Sequence, residues 1–361
     1  MNYPYPDGTG GHFDRAAHLL PLLETFSMPD VADTTLADYK AMKPKTRHAY
    51  DQARIERLSS TVSGGIVVKT PTLDQLLLEL RRAARFASRP IGRTSVILTG
   101  PPAAGKTTAA FYAMVEGFNR HARRYPDWKQ LGHVPVVYIE VPSDCTAKNL
   151  LGRFLRYLGL PFTSRTTLEE RTQMVTGHLV HGHTSLVVID EMQNLARDSQ
   201  GHSAAQQAIK NLMNAVPAVP LYAGWNLDRT LLAGDSLGAQ FASRSTLVRL
   251  DKLGNRTPAE HKLWGGVLRV FETKLGLLNQ EPLTLLMESD YLWERTRGSL
   301  GALSRLLSTV ALDLIEAGDP DAEFITREHL DTVNLDMTSS LDELRARELA
   351  ATAKKERAHA A

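Results

Sequence analysis

A chain of 361 residues with 43% hydrophobic and 23% charged side chains has room for two or three packing units and enough apolar material to fold, which excludes wholesale disorder. Its 42 Lys and Arg against 40 Asp and Glu leave a net charge of +2, so any nucleic-acid contact must come from a local patch rather than from bulk charge. The one cysteine, Cys145, excludes an internal disulfide and a cysteine-based zinc site and fits a reducing compartment.

Residues 1–35 read as a flexible arm around one apolar run, AAHLLPLLETF, which is either a helix or part of a disordered tail. The opening MNYPYPDGTGGHFD has neither the basic start nor the apolar run of a signal peptide. The longest apolar stretches are short and broken by Pro, so no membrane span is expected and a cytoplasmic location is. Residues 36–93 form a lead-in: a Lys- and Arg-rich helical stretch over 36–63, a short β-branched strand in GGIVVKTP stopped by Pro71, and an amphipathic helix, LDQLLLELRRAARFA.

Residues 94–256 carry five short apolar segments joined by helical patterns: TSVILTG (94–100), VPVVYIEV (134–141), SLVVIDE (185–191), VPLYAGW (219–225) and STLVRL (245–250). Continuous apolar runs alternating with helices predict a parallel sheet covered on both faces. At Thr257-Pro258 a capping side chain precedes Pro at the first turn, a good helix start. From there to residue 335 the pattern is helical without strands, roughly 258–276, 283–294, 299–317 and 326–334, and predicts a small all-α lid. Residues 336–361 are a charged tail that opens on a capping-box pattern at Ser340 and Glu343.

Gly100-Pro101-Pro102-Ala103-Ala104-Gly105-Lys106-Thr107 matches GxxxxGK[ST] between a predicted strand and a predicted helix. Glycines let the backbone curl so that successive N–H groups face one anion, and the helix N-terminus adds its positive end. Lys106 would pair with the β and γ phosphates of a nucleotide, and Thr107 would offer its hydroxyl to Mg²⁺. The binding set is completed by Thr108. The third apolar segment ends in Asp190 and Glu191. A buried parallel strand puts Asp190 at the sheet edge where ligands bind, able to hold Mg²⁺ beside Thr107. Glu191 is then placed to accept a proton from an attacking water, which points to hydrolysis rather than passive binding.

Asn226, after the fourth segment, is either a γ-phosphate sensor or a turn residue. Arg244, before the fifth, is read as an arginine that reaches a neighbouring subunit's nucleotide, with a plain surface residue as the alternative. Arg305, in GSLGALSRLL, either leans on the nucleotide from the lid or faces solvent. The cluster His178, His181 and His183 has no carboxylate or cysteine nearby and reads as a polar loop rather than a metal site.

Taken together, the phosphate loop, the acidic strand, an arginine before the last strand and a helical lid resemble an AAA+ ATPase. VVIDEMQNL, FASRSTLVRL, GSLGALSRLLSTVALDLIEAG, EFITREHLDTV and the lead-in MKPKTRHAYDQARIERL are similar to the TniB/TnsC group, the ATP-dependent target-selection proteins of DDE transposons, related to the phage Mu B protein. The likeness covers roughly residues 36–335. It departs from the group at Gly224-Trp225-Asn226, where Gly-Thr is usual. It implies an α/β P-loop three-layer sandwich with a parallel sheet in the order 5-1-4-3-2, followed by the lid. It further implies ATP and Mg²⁺ as cofactors, a ring or helical filament of the chain on double-stranded DNA, a DDE transposase as partner, and no membrane. Lys148 and Arg153 are the implied contacts to the DNA backbone, and each is also explained as a solvated helix position. The alternative is a switch-type or remodelling NTPase with a protein partner and no transposase.

Overall fold

Each of the five apolar segments forms a strand: β1 (Ser95–Thr99), β2 (Val136–Glu140), β3 (Leu186–Asp190), β4 (Val219–Gly224) and β5 (Ser245–Arg249). The computed structural model describes residues 13–26, 33–59, 66–89, 93–195, 199–230 and 243–335. Its helices are α1 (Ala16–Thr25), α2 (Leu36–Ala41), α3 (Pro44–Ser59), α4 (Pro71–Ala84), α5 (Lys106–Arg124), α6 (Ala147–Tyr157), α7 (Leu168–His181), α8 (Ser199–Ala215), α9 (Leu227–Thr230), α10 (Pro258–Leu275), α11 (Thr284–Met287), α12 (Ser289–Thr296), α13 (Leu300–Ala317) and α14 (Arg327–Thr332). Among the described residues no single helix is long and apolar enough to cross a membrane. The chain divides into two units: residues up to 26, 69–101 and 106–250 in the first, and 27–68, 102–105 and 251 onward in the second. The capping-box tail lies outside the described residues.

In the first unit the strands run parallel in the order β2-β3-β4-β1-β5, as expected. Parallel neighbours need crossover connections, and helices on the faces bury the strands. Every residue of β1, β3 and β4 is accordingly buried, whereas β5 at the edge fully buries only Val248. Parallel register brings all C-terminal ends to one edge: Thr99 pairs with Gly224 and Arg249, and Glu140 with Asp190. Thr70 caps α4 at Leu73 N (3.2 Å), Pro71 opens it, and Leu73, Leu76, Leu80 and Ala83 form its buried stripe. That helix packs against α5 and the sheet. The apolar run in the expected arm is α1. It buries Leu19, Leu20 and Leu23 and packs on α5 and β2, with Phe13 stacked on Phe111 at 5.7 Å and Phe26 edge-on to it at 4.9 Å.

The second unit is built on helices. Thr257 is the capping side chain expected at the start of α10, with Pro258 in the first turn, and Glu260 completes a capping box with it. Trp264, Leu268 and Phe271 of α10 meet Leu303, Leu307 and Val310 of α13 in one core. The strand expected in GGIVVKTP is not formed among described residues 66–70; Ile66 and Val68 instead join this core, where an extended segment needs no strand partner. Helix α3 packs on α13. Its Arg54, 0% exposed, bonds Glu323 at 2.5 and 3.0 Å, Asp51 at 2.5 Å and the Gly276 carbonyl at 3.0 Å. Glu323 is only 2% exposed, so Arg54→Leu strands a carboxylate in the interior. That substitution is expected to lower stability by about 3–5 kcal/mol. Denaturant unfolding of the full chain checks it; an unchanged transition would refute a structural role for the pair.

Candidate functional site

The phosphate loop leaves β1 at Gly100, where a Cβ would come within 2.1 Å of the Leu250 carbonyl oxygen, so only glycine fits. Gly105 has φ +90°, a conformation open to glycine and strained for L side chains. The strand and helix around the loop thus force the two glycines of the motif for different reasons. Lys106 opens α5, and its ammonium donates to the Pro101 carbonyl at 2.9 Å, across the base of the loop. Burial pushes its pKa down while Glu191 and Asp190 pull the other way. Lys106 is thus a half-buried cation within reach of the field of two carboxylates.

Asp190 ends β3 and is 1% exposed. One of its oxygens accepts from Thr107 Oγ1 at 3.4 Å and from Tyr138 OH at 3.1 Å; the other accepts from Glu191 N at 2.8 Å. Thr107 and Asp190, 83 residues apart in sequence, therefore share a corner at the C-terminal edge of the sheet. One hydroxyl and one carboxylate are hard oxygen donors, which suits Mg²⁺ bound mainly through phosphates and water. Burial and Asp190 push the Tyr138 hydroxyl far above its usual range, so it remains a donor. Tyr138 is marked in the sequence only as a Tyr inside an otherwise apolar strand, a residue that needs a partner when buried.

Glu191 follows with φ 57° and ψ 37°, left-handed for a non-glycine residue. Its carboxylate accepts from Gln193 Nε2, whose other end, Oε1, accepts from Trp225 N at 2.9 Å. A Cβ at Gly224 would lie 2.3 Å from that same Gln193 oxygen. Gly224 therefore makes room for Gln193, and Gln193 ties the acidic strand to the end of β4. From there Leu227 N donates to Thr99 Oγ1 at 3.0 Å, beside the phosphate loop. Gln193 stands in the family-like segment VVIDEMQNL and Gly224 in the stretch that departs from the group, but their partnership depends on β3 and β4 being neighbours.

Asn226 is half-buried with φ 57° and opens α9, its carbonyl accepting from Arg229 N. Arg244 is exposed at the start of β5, its carbonyl accepting from Ser95 N at 2.9 Å. It stands at the sheet edge opposite the loop, roughly 16 Å away by five residues of strand, too far to serve its own site. In the second unit the Ala103 carbonyl accepts from Ser299 Oγ at 3.0 Å and Gly301 N at 3.2 Å. Arg305 is exposed one turn beyond Gly301 on α13. Lys148 on α6 is committed to the Ser164 carbonyl at 2.8 Å, and Arg153 is exposed on the same helix. His183 stacks on His133 at 4.4 Å, and His133 Nδ1 lies 3.0 Å from His121 Nε2. His178 Nδ1 lies 2.9 Å from the Met174 carbonyl.

A family model described as "Bacterial TniB protein" matches residues 61–255, more than half of the chain. Among solved structures, the Aeropyrum pernix ORC1 protein, determined in complex with DNA, aligns with TM-score 0.54 and 15% identity over 77% of this chain and 68% of its own. The ORC2 protein of the same organism, determined in ADPNP and ADP complexes, aligns with TM-score 0.51 and 16% identity over 75% of this chain and 70% of its own. Comparison with curated proteins gives no match. The structural likeness identifies the fold as the AAA+ type of P-loop sandwich.

Proposed function

Because the chain belongs to the TniB family, we propose that it is a DNA-dependent ATPase that assembles on double-stranded DNA, selects target sites there and recruits a DDE transposase. The observation that carries the ATPase part is the corner shared by Thr107 and Asp190, with Glu191 next in the chain and Lys106 at the loop. Family membership supports the transposition part.

In this reading the backbone N–H groups of residues 100–107 cradle the phosphates of ATP, and Lys106 exchanges the Pro101 carbonyl for them. Thr107 and Asp190 would hold Mg²⁺, which would supply positive charge to the phosphates. Tyr138 keeps Asp190 oriented. Glu191 accepts the proton of the attacking water, and Gln193 fixes its carboxylate relative to the end of β4. Arg244, at the sheet edge opposite its own loop, reaches the nucleotide of a neighbouring copy in a ring or filament and stabilises transition-state charge. Asn226 and Arg305 are the proposed contacts to the γ-phosphate side, and Lys148 and Arg153 to the DNA backbone. Contact with phosphates alone would make DNA binding steeply salt-dependent and indifferent to sequence. A bacterial cytoplasmic location fits this activity.

ATP turnover measured with and without double-stranded DNA, over a range of protein concentrations, tests the reading. Turnover should rise with DNA and with protein concentration. Arg244→Ala should abolish most of that rise, a loss of about 10³-fold or more in the assembled state, and leave the rate of dilute protein unchanged. Turnover indifferent to both variables would remove the DNA-assembly role and favour the switch-type NTPase.

A further inference from the structure

At the N-terminal edge of the sheet, away from the phosphate loop, the first unit holds a cavity of about 710 Å³. Arg81 and Arg85 line it from the C-terminal end of α4, and Arg120 and Arg124 from the C-terminal end of α5. The carboxylate that lines it, Glu116, is shared between Arg81 (3.2 Å) and Arg120 (3.8 Å). Arg85 and Arg124 are exposed, and neither has a carboxylate partner among the described residues. Burial above all pushes the Arg120 pKa down; Glu116 opposes it, and Arg81 and Arg123 add to it. His121 in the wall is pushed down to about 4 by burial and by His133, His183 and Arg124, so it is neutral at pH 7.

The floor is different. Leu80, Leu186, Ala87 and Val219 are buried beneath the arginines, and Val180 stands 43% exposed at the margin. An occupant must therefore bring negative charge for the margin and aliphatic or aromatic bulk for the floor. Double-stranded DNA is a convex rod with no apolar group to insert. Single strands are held on open aromatic platforms, whereas the rings that line this cavity, His121, Tyr125 and His183, pack on one another at 4.9 and 5.9 Å, and the floor beneath the arginines is aliphatic.

We propose that this cavity is the docking site for an acidic peptide segment of a partner protein, which seats one or two apolar side chains on the floor and its carboxylates on the four arginines. Guanidinium groups suit this role because they grip carboxylates through two parallel bonds. The site shares no residue with the proposed ATP site and does not depend on it.

Fluorescence anisotropy of the full chain with a labelled peptide, EDELLDED, tests the proposal. The peptide should bind saturably at low salt. Arg85→Glu with Arg124→Glu should weaken it about 10-fold or more, and replacing both peptide leucines by alanine should do likewise. Both arginines are exposed, so the double variant should keep the wild-type melting temperature. Ala84→Phe, which fills the cavity without changing a charge, should also block the peptide. No saturation up to about 1 mM, equal affinity for the variants, or loss of labelled DNA binding in their place would each overturn the proposal.

Discussion

Glu191→Gln is expected to lower ATP turnover about 10²–10⁴-fold while ATP still binds. The substitution keeps the size of the side chain and leaves an oxygen to accept from Gln193, so the tie to Trp225 and β4 is retained. What it removes is the basic oxygen that takes the water's proton. Asp190, with its bonds to Thr107, Tyr138 and the Glu191 amide, is untouched. Single-turnover measurements alongside equilibrium binding of a labelled ATP analogue separate the two effects. Unchanged turnover would mean that another group activates the water; lost binding would mean that Glu191 shapes the loop rather than the chemistry.

Lys106→Ala is expected to act one step earlier. The ammonium is partly buried and its hydrogen bond within the chain is to the Pro101 carbonyl. Removing it leaves the phosphates facing backbone dipoles without a point charge. Truncating one partner of such a charge pair removes about 2–5 kcal/mol of affinity, a fall of roughly 30- to 5,000-fold. Calorimetric titration with ATP checks this, and an unchanged melting temperature without nucleotide shows that the fold is intact. Tight ATP binding by the variant would refute the assignment of the loop.

The two predictions draw on different amounts of sequence information. The loop was legible because its determinants are contiguous: Gly100 to Thr107 lie in one short run between a strand and a helix. Asp190 and Glu191 were legible because a strand buried on both faces reads as an unbroken apolar run, and its acidic end stands out. The sheet order followed from recognising the family pattern, not from the strands themselves. Tyr138, Gln193 and Gly224 were opaque for the opposite reason. Each acquires its role from a residue on a neighbouring strand, and nothing local in VVYIE or MQNL announces the partner.

The same distinction explains the rest of the fold. Val68 sits in a β-branched run, yet its surroundings are helices, so the run packs as extended chain and not as a strand. Arg54 looks like one more cation on a charged helix. It becomes buried through Glu323, 269 residues away. Arg81 and Arg120 likewise read as solvated helix charges until α4 and α5 pack side by side and place them around one cavity.

That ATP drives this chain to assemble on DNA is tested most directly with the Glu191→Gln protein, which should hold ATP without consuming it. Negative-stain microscopy with double-stranded DNA and ATP should show rings or filaments on the DNA, absent without nucleotide and absent for Lys106→Ala. Dispersed single particles in the presence of DNA and demonstrably bound ATP would contradict the account.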